Sequence, residues 1–289
     1  MARGRTARVL VTKWAPGAHH RAPDELVVEE PLAIHLDDHL VATTMRTPGH
    51  DFELGAGYCL TEGLLGEVDV TGVRYCGTGP AAETGFNVVS VDTGGRAPVP
   101  TPRLTATTSS CGLCGTAAID EVAARLEPLP RTVTAFRADV LIGALAQHLG
   151  AQPLFAATGA VHAAVAVDAS GEVVVAREDV GRHNAVDKVV GRLLFDGRLP
   201  AHDLALLVTS RASFEIVQKA WAAGFAAIAA VSAPTSLAVE TARRGQLLLL
   251  GFVRGQSANV YASGRPAGEP AENHLSAASA AASATDNGA

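Results

Sequence analysis

Short apolar runs separated by polar turns fill the first hundred residues of the chain, a pattern that predicts strands. Pro48 and Gly49 interrupt this pattern, and Asp51 is placed to cap a helix that extends to about Leu65. Residues 1–23 show no comparable pattern, and we expect an irregular lead-in there. The predicted strands of this part are Glu25–Val28, Leu32–Leu36, Leu40–Met45, Val68–Tyr75 and Phe86–Val91, with a turn at Asp37–His39.

Strands and helices alternate after about residue 130, which predicts a mostly parallel sheet covered by helices on both faces. One run, Leu204–Val208, is apolar throughout, as is typical of a buried central strand. Asn184 is placed to cap a helix, with Asp187 at its third position. The other predicted strands are Val161–Val167, Val173–Ala176, Ala226–Val231, Leu247–Val253 and Val260–Tyr261, and the predicted helices are Ala138–Leu149, Asn184–Leu194, Ser213–Gly224 and Ser236–Arg243.

These patterns divide the chain into an ordered series of segments after the lead-in. A smaller strand-rich domain covers residues 24–100, and residues 101–130 hold a cysteine loop and the helix that follows it. Residues 131–265 form the alternating part, and the Ala/Ser-rich tail at 266–289 is predicted to be disordered. The predicted fold class is therefore α/β with an α+β N-terminal part.

The composition excludes several classes of protein. The chain has 289 residues and a net charge of −6, so the basic footprint of a nucleic-acid-binding protein is missing. Its 4 cysteines do not make a disulfide framework at this length. The apolar run Val9–Val11 is too short for a signal peptide, and the sequence contains no apolar stretch long enough to span a membrane. We therefore expect a cytoplasmic protein without nucleic-acid or membrane partners.

Cys111 and Cys114 form a C-x-x-C pair in a Ser/Gly-rich loop that runs into good helix formers. A helix N-terminus stabilises a thiolate, which is the species that attacks sulfur or binds metal. By itself the pair fits half of a zinc site, a dithiol–disulfide switch, a sulfur carrier or two unrelated small residues. Cys59 and Cys76 form no second pair, so the spacing of a four-cysteine zinc site is absent and no resident metal is expected. Cys59 falls on the apolar side of the predicted 51–65 helix and Cys76 ends a predicted strand, so we expect both to be structural.

Polar segments follow three predicted strands of the α/β part, where parallel sheets bind their ligands. They are residues 176–184 with Arg182, Thr209–Ser213 with Ser210 and Arg211, and Phe252–Ser257 with Arg254. Each segment alone also fits an ordinary turn or helix cap, but three arginines at strand ends favour an anionic, nucleotide-like ligand. The absence of a Walker loop and of G-x-G-x-x-G disfavours an ATPase or a dinucleotide-binding dehydrogenase.

His162 is a further candidate, for proton transfer near the cysteines. A single histidine in an apolar strand equally fits a hydrogen-bonded core residue.

Several longer motifs occur in a characteristic order along the chain. They are Met45–Asp51 followed by Leu60–Gly63, Ser110–Gly115, Thr158–Gly159 with His162, Glu178–Lys188, Thr209–Arg211 and Gly251–Gly255. Together they resemble the formate dehydrogenase accessory sulfurtransferase family (FdhD), over about residues 25–262.

The resemblance implies a sulfur carrier with defined partners. It would take persulfide sulfur from a cysteine desulfurase and deliver it to the molybdenum of bis-molybdopterin guanine dinucleotide, before that cofactor enters formate dehydrogenase. Cys111 would carry the persulfide and Cys114 would assist. The family's cofactor-binding stretch corresponds here to Phe252, Val253, Arg254, Gly255, Gln256 and Ser257, and GDP represents a fragment of the cofactor.

The resemblance also implies a homodimer and a larger domain with a cytidine-deaminase-like fold, in which helices flank a mixed sheet. Deaminase activity itself is not predicted, because Ala163 and Ala164 follow His162 where a zinc deaminase carries H-x-E. Two other functions remain open from the residues alone. One is a non-catalytic cofactor chaperone whose cysteines act as a redox switch, and the other is a metal-binding interaction protein.

Overall fold

The computed structural model describes residues 4–75, 85–100, 120, 124–130, 134–149 and 152–264. Cys76, Cys111, Cys114 and the predicted tail lie outside these residues. The strands are β1 Thr6–Ala15, β2 Ala18–Val27, β3 Glu30–Leu36, β4 His39–Arg46, β5 Gly72–Tyr75, β6 Val88–Asp92, β7 His162–Val167, β8 Val173–Asp179, β9 Ala205–Val208, β10 Ala227–Ala230, β11 Leu248–Arg254 and β12 Ser257–Ser263. The helices are α1 Asp51–Thr61, α2 Ala138–Leu149, α3 Pro153–Thr158, α4 Arg182–Phe195, α5 Phe214–Ala223 and α6 Ser236–Gly245.

β1 and β2 form an antiparallel hairpin, so the expectation of an irregular lead-in at residues 1–23 is wrong. The base of the hairpin is held by a 2.9 Å hydrogen bond from the Val28 N–H to the Arg5 carbonyl, and by a 3.2 Å bond from the Arg5 guanidinium to the Glu178 carbonyl. Most of its side chains are exposed, including Trp14 at 76%. Because the hairpin buries little apolar surface, its sequence lacks the alternation that marks a half-buried strand.

A small sheet of four strands, in the order β4-β3-β6-β5, forms the N-terminal part. Asp37 and Asp38 join β3 to β4 with positive φ angles, as a two-residue hairpin turn requires, and this confirms the predicted turn. α1 covers one face of the sheet. It begins after His50 and ends at Thr61, so the predicted cap at Asp51 and the predicted end near Leu65 are wrong.

The larger sheet has six strands in the order β12-β11-β10-β9-β7-β8. Parallel pairing is confined to β9–β10–β11, so the sheet is mixed and the expectation of a mostly parallel sheet is wrong. The difference arises because tight turns join β7 to β8 and β11 to β12, and a tight turn reverses chain direction. Apolar side chains pack on both faces, against α4, α5 and α6 on one side and α2 on the other. The α/β class, with a mixed sheet flanked by helices and a smaller strand-rich part, is confirmed.

Two glycines allow α1 of the small sheet to pack directly on α4 of the large one. A Cβ atom at Gly57 would lie 1.9 Å from the Asp187 carbonyl oxygen, and one at Gly191 would lie 1.9 Å from the Glu53 carbonyl oxygen. These distances are far below van der Waals contact, so only glycine fits at either position. The close crossing joins the two sheets into one packed unit.

Buried ion pairs reinforce this junction. Arg46 is fully buried and donates two hydrogen bonds, of 3.0 and 2.9 Å, to the carboxylate of Asp51. Lys188 lies 2.6 Å from an Asp179 carboxylate oxygen and donates to the Thr47 carbonyl at 2.9 Å. Asp179 also accepts a 3.2 Å bond from the Thr47 N–H. The loop between β4 and α1 is therefore fixed against α4 and the end of β8.

Glu53 contributes a further pair across the junction, and its replacement tests the electrostatics of the junction. Arg177 donates to both Glu53 carboxylate oxygens, at 2.6 and 2.7 Å. Burial alone would raise the pKa of Glu53, but hydrogen bonds from Arg177 and His50 lower it to about 2. We expect Glu53→Gln to reduce the free energy of unfolding at pH 7 by about 1–2 kcal/mol, since part of the pair is reached by solvent.

The pH dependence of the Glu53→Gln effect has a defined sign. The folded-state pKa lies below the ordinary value of 4.5, so the carboxylate stabilises the fold above that pH and loses its contribution as the pH falls towards 2. Wild-type and Glu53→Gln stabilities, measured by urea unfolding, should therefore converge between pH 4.5 and 2. Asp139→Asn, which removes an exposed pair with Arg137, is the control and should change little. A gap that stays constant over this pH range would contradict the assignment.

Candidate functional site

The carboxyl ends of four strands and the starts of the other two, β7 and β12, lie at one edge of the large sheet, here called the carboxyl edge. β9, β10 and β11 are parallel, so they end together. β7 is antiparallel to both β8 and β9, so β8 runs in the same direction as β9 and β7 starts where they end. The carboxyl edge therefore collects Asp179, Val208, Ala230 and Arg254 from strand ends and His162 from a strand start.

The register places the sequence-predicted residues at similar heights on this edge. Ala164 of β7 pairs with Val208, so His162 lies two residues beyond the end of β9, level with Ser210. His162 also pairs with Asp179, the last residue of β8, and Arg182 follows three residues later. The predicted residues His162, Arg182, Ser210, Arg211 and the 252–257 segment thus all lie on the carboxyl edge.

Helices α4, α5 and α6 begin at the carboxyl edge, and their first turns are capped differently. Thr235 caps α6 by accepting a 3.2 Å hydrogen bond from the Ala238 N–H. Gly181 and Ser213 occupy the cap positions of α4 and α5 and provide no side-chain cap. The predicted cap Asn184 lies inside α4, where its amide donates to Asp179 at 3.0 Å. That prediction is wrong because Asn184 holds the strand end rather than the helix end.

The 252–257 segment is the turn between β11 and β12. A Cβ atom at Gly251 would lie 2.8 Å from Pro234 Cδ, so the backbone there is closely packed. Phe252 has a φ of 52°, an uncommon conformation for a bulky residue, and its N–H donates to the Ser232 carbonyl at 3.2 Å. Arg254 lies over the Phe252 ring, with its guanidinium carbon 5.9 Å from the ring centroid.

The outer residues of this turn are open to a ligand. Gly255, Gln256 and Ser257 are exposed, and nothing lies within 4 Å of a Cβ atom built on Gly255. Within the 252–257 segment, Val253 differs from these exposed residues, because its side chain is buried in the core below α2. A strained backbone that presents an arginine and an aromatic ring is suited to hold a charged, planar ligand.

Thr209 ties the loop after β9 to the start of β7. Its N–H donates to the Ala163 carbonyl at 3.1 Å, and its hydroxyl accepts from the Ala163 N–H at 2.9 Å. Ser210 is buried and donates to the Arg211 carbonyl at 3.0 Å, while the Arg211 side chain is exposed. The loop is therefore rigid at its base and presents a cationic side chain to solvent.

Arg182 lies close to two histidines. Burial lowers the pKa of His162, Arg182 lowers it further, and Asp179 acts in the opposite direction. Burial also lowers the pKa of His183 to about 4, again with a contribution from Arg182. Both imidazoles are therefore neutral at physiological pH in the free protein, and His162 is half-buried rather than part of the core.

Cys111 and Cys114 lie outside the described part of the chain. The segment that follows them, residues 124–130, lies within it, and two hydrogen bonds fix its position. The Leu129 N–H donates to the Gly245 carbonyl at 3.1 Å, and the indole of Trp221 donates to the Glu127 carbonyl at 2.8 Å. This segment therefore lies at the C-terminal ends of α5 and α6, opposite the carboxyl edge.

Cys59 is fully buried on α1, against the small sheet. Burial, followed by the charge of Asp187, raises the pKa of its thiol to about 12. The thiol therefore stays protonated and inaccessible, which makes it unsuited to attack sulfur. This agrees with the expectation that Cys59 is structural.

An open depression of about 520 Å³ lies elsewhere, on the small sheet, where Asp37, Asp38 and Asp92 line it. Arg74 also lines it, so the depression has more acids than bases, and it contains none of the residues that the sequence predicts for the site. Among the residues that the structure describes, no group of three or more histidines, cysteines or acids is arranged to hold a metal ion. Within the same residues, no helix is long and apolar enough to cross a membrane.

Comparison with known proteins identifies a family that matches most of the chain. The profile of the FdhD/NarQ family matches residues 27–266. The chain belongs to the FdhD/NarQ family. A protein of Nocardia farcinica named sulfur carrier protein FdhD is 46% identical over 260 residues, which cover 89% of this chain and 92% of that protein.

A second relative and a solved structure are also similar to this FdhD/NarQ chain over most of their length. A sulfur carrier protein FdhD of Streptomyces avermitilis is 47% identical over 264 residues, covering 89% of this chain and 94% of its own. A crystal structure from Desulfotalea psychrophila, provisionally assigned as a formate dehydrogenase accessory protein, has a TM-score of 0.70 at 24% identity and covers 90% of this chain and 97% of its own. That structure supports the fold described above.

The FdhD/NarQ fold also brings together residues that sequence patterns did not single out. His183 and Ser213 join Arg182 at the carboxyl edge, and Lys219 lies in a buried cluster where its ammonium is 2.9 Å from Glu62 and 3.0 Å from Asp187. His183 belongs to the charged 176–184 segment and Ser213 to the 209–213 segment, two of the polar segments identified from the sequence. That the two residues lie close together depends on the strand order, in which β7 lies between β8 and β9. Strand order of this kind has no local sequence signal.

Proposed function

We propose that this protein is a cytoplasmic, homodimeric sulfur carrier that serves a formate dehydrogenase. It would take persulfide sulfur from a cysteine desulfurase and deliver it to bis-molybdopterin guanine dinucleotide, which is its substrate. The observation that carries the proposal is the near full-length match to proteins named sulfur carrier protein FdhD, together with the Cys111-x-x-Cys114 pair in this chain.

The first chemical step requires a reactive thiolate. The Cys111 thiolate would attack the terminal sulfur of the donor persulfide, forming the Cys111 persulfide and releasing the donor cysteine as a thiolate, with no net oxidation. Cys114 lies three residues away and would assist the second step. Attack of its thiolate on the Cys111 sulfur would release hydrosulfide and leave a disulfide, so the cysteine pair would supply the two electrons.

The chain length is sufficient for the cysteines to reach the carboxyl edge. Asp120 lies 2.7 Å from the Arg244 guanidinium in the last turn of α6. α6 is 10 residues long, or about 15 Å from end to end. Cys111 lies nine positions before Asp120, so the chain between them can extend at most about 30 Å. A persulfide on Cys111 is thus within reach of a ligand held at the carboxyl edge.

Local cations, rather than the field of the whole protein, must attract the cofactor, because the chain has a net charge of −6 and the cofactor is a polyanion. The residues proposed to hold it are on the carboxyl edge. They are Phe252, Val253, Arg254, Gly255, Gln256, Ser257, Ser210, Arg211, Arg182 and His162. Val253 would act through its backbone, since its side chain is buried.

Intact-mass analysis tests the carrier function directly. After incubation with a cysteine desulfurase and cysteine, the wild-type protein should gain the mass of one sulfur atom, and reductant should remove it. Stoichiometric zinc without added sulfur would instead favour a metal-binding interaction protein. A reversible loss of two hydrogens that also occurs when the cysteine desulfurase and cysteine are omitted, again without added sulfur, would favour a chaperone with a redox-switching cysteine pair.

Arg254→Ala is expected to weaken GDP binding tenfold to a hundredfold and to leave sulfur loading intact. A charge-assisted hydrogen bond to phosphate is worth about 1.5–3 kcal/mol, and the desulfurase step does not involve the nucleotide end. Calorimetry with GDP measures the effect. Arg21→Ala, which removes an exposed arginine on β2, is the matched control and should bind GDP like the wild type. Equal GDP affinity in folded Arg254→Ala protein would remove the 252–257 turn from the site.

A further inference from the structure

A cluster of unsatisfied polar groups lies where α4 and α5 begin. Arg182 Nε, His183 Nε2 and Ser213 Oγ are buried atoms without a hydrogen-bond partner. Ser213 is 8% exposed and occupies the cap position of α5, yet its hydroxyl makes no cap bond. Buried polar atoms are normally paired, because an unpaired donor or acceptor costs about 1–3 kcal/mol. His183 Nε2 lies 3.9 Å from a carboxylate oxygen of Glu215, two residues after Ser213, so the starts of α4 and α5 are adjacent. Three unpaired polar atoms at these adjacent helix starts indicate that a ligand completes the site.

The cluster contains one cation, Arg182, together with two imidazoles whose pKa values are lowered by burial. Among the residues that the structure describes, Arg182 forms no ion pair, whereas Lys188 and Lys219 beside it are matched by carboxylates. The nearest acid to His183 is Glu215, whose carboxylate lies 3.9 Å from Nε2, beyond hydrogen-bond distance. His162 adds a second imidazole within electrostatic range of Arg182. A guanidinium without a counter-ion favours an anionic ligand here.

The backbone N–H groups at the starts of α4 and α5 also favour an anionic ligand. The first hydrogen bond within α4 is donated by Ala185 and the first within α5 by Val217, so the N–H groups before them are not used inside either helix. Both helices are long enough to carry a substantial dipole, with 14 and 10 residues. Side-chain donors that converge on two helix N-termini match the tetrahedral oxygens of a phosphoryl group.

The cluster is separate from the 252–257 turn. β8 and β11 are separated by β7, β9 and β10, which corresponds to four strand spacings, or about 19 Å. Arg182 and Arg254 therefore follow well-separated strands, and the Arg254 guanidinium is held over the Phe252 ring of its own turn. A dinucleotide held at the turn by its nucleotide end could place a second anionic group at the cluster.

We propose that Arg182, His183 and Ser213, with the first N–H groups of α4 and α5 and flanked by His162, form a second anion subsite that binds a phosphoryl group. The proposal rests on the proposed function only in assigning this phosphoryl group to the cofactor. The subsite itself requires no sulfur chemistry.

Imidazole NMR on the full-length protein tests the subsite, with inorganic pyrophosphate as the probe. Titration should shift the His183 and His162 ring signals saturably, and the signals are assigned from His183→Gln and His162→Gln. Arg182→Gln should weaken the affinity at least tenfold, and Ser213→Ala, which removes one neutral donor, should weaken it about twofold to tenfold. Arg8→Gln, on the exposed face of β1, and Arg254→Ala should leave these shifts unchanged.

The outcomes separate the subsite from the proposed function. Absence of a saturable shift in the wild type, or equal affinity in wild type and Ser213→Ala, would overturn the subsite even if Arg182→Gln fails to fold. A shift that disappears in Arg254→Ala would assign the anion to the 252–257 turn instead. Normal sulfur loading without pyrophosphate binding would reject the subsite and keep the carrier. Pyrophosphate binding without sulfur loading would support the subsite and reject the carrier function.

Discussion

Cys111→Ser protein should gain no sulfur from a cysteine desulfurase and should fail to restore formate dehydrogenase activity in a strain that lacks the native protein. A serine hydroxyl cannot form a persulfide, and Cys114 alone cannot replace the thiol if Cys111 is the acceptor. The expected effect is complete loss of the sulfur adduct. Intact-mass analysis and cyanolysis of the adduct measure it.

The other cysteines provide the matched controls. Cys59→Ala should load sulfur like the wild type, because the Cys59 thiol is buried and its pKa is raised to about 12. Cys76→Ser should also load normally, since the sequence predicts a structural role for Cys76. A Cys111→Ser protein that still acquires a cyanolysable sulfur would reject the assignment, and loss of loading in folded Cys76→Ser protein would add a third thiol to the relay.

Gly57→Ala should destabilise the protein by about 3 kcal/mol or more, and Gly191→Ala should do the same. A methyl group at either position would overlap a backbone carbonyl oxygen of the facing helix, at a separation of 1.9 Å. The helices must move apart, and backbone cannot yield as a flexible side chain does, so the cost is at or above the upper range for overpacking. In a domain of this size the melting temperature should fall by about 6–12 °C or more.

Gly143→Ala is the control for these two variants. Gly143 lies in α2, is exposed, and has no atom within 4 Å of a Cβ built on it. Alanine should therefore be neutral or stabilise the protein by up to about 1 kcal/mol, because it favours the helix. Thermal unfolding of the three variants measures both effects. A Gly57→Ala melting temperature near that of Gly143→Ala would show that α1 and α4 are not in the close contact described.

Local patterns predicted most elements but not their arrangement. The apolar run Leu204–Val208 contains β9 because a buried strand needs no alternation, and the Asp37–Asp38 turn has a specific backbone preference. The β1–β2 hairpin was not predicted, because both of its faces are mostly exposed and its sequence therefore lacks the alternation of apolar and polar residues. The start of α4 was misplaced because the Asn184 amide donates to the Met45 carbonyl, 139 positions earlier in the chain, a contact that no local rule contains.

The candidate site was predictable only in part, for the same reason. Arg182, Arg211 and Arg254 were recognisable because each follows a strand in sequence. Their positions along the edge depend on strand order, and β7 enters between β8 and β9 although it precedes both in the chain. Ser213 could not be distinguished from an ordinary helix cap, because its unpaired hydroxyl is a property of the packed structure.

The junction between the sheets also sets an order of events during synthesis. Thr47 receives its hydrogen bond from Lys188, which is 141 positions later in the chain. At about 5–20 residues per second, the ribosome delivers that partner roughly 7–28 s after Thr47. During this interval α1 of the nascent N-terminal part has no partner helix at Gly57, where α4 packs in the folded protein. We therefore expect the N-terminal part to stay open to proteases and chaperones until α4 has emerged, and to become protected in one step when it docks.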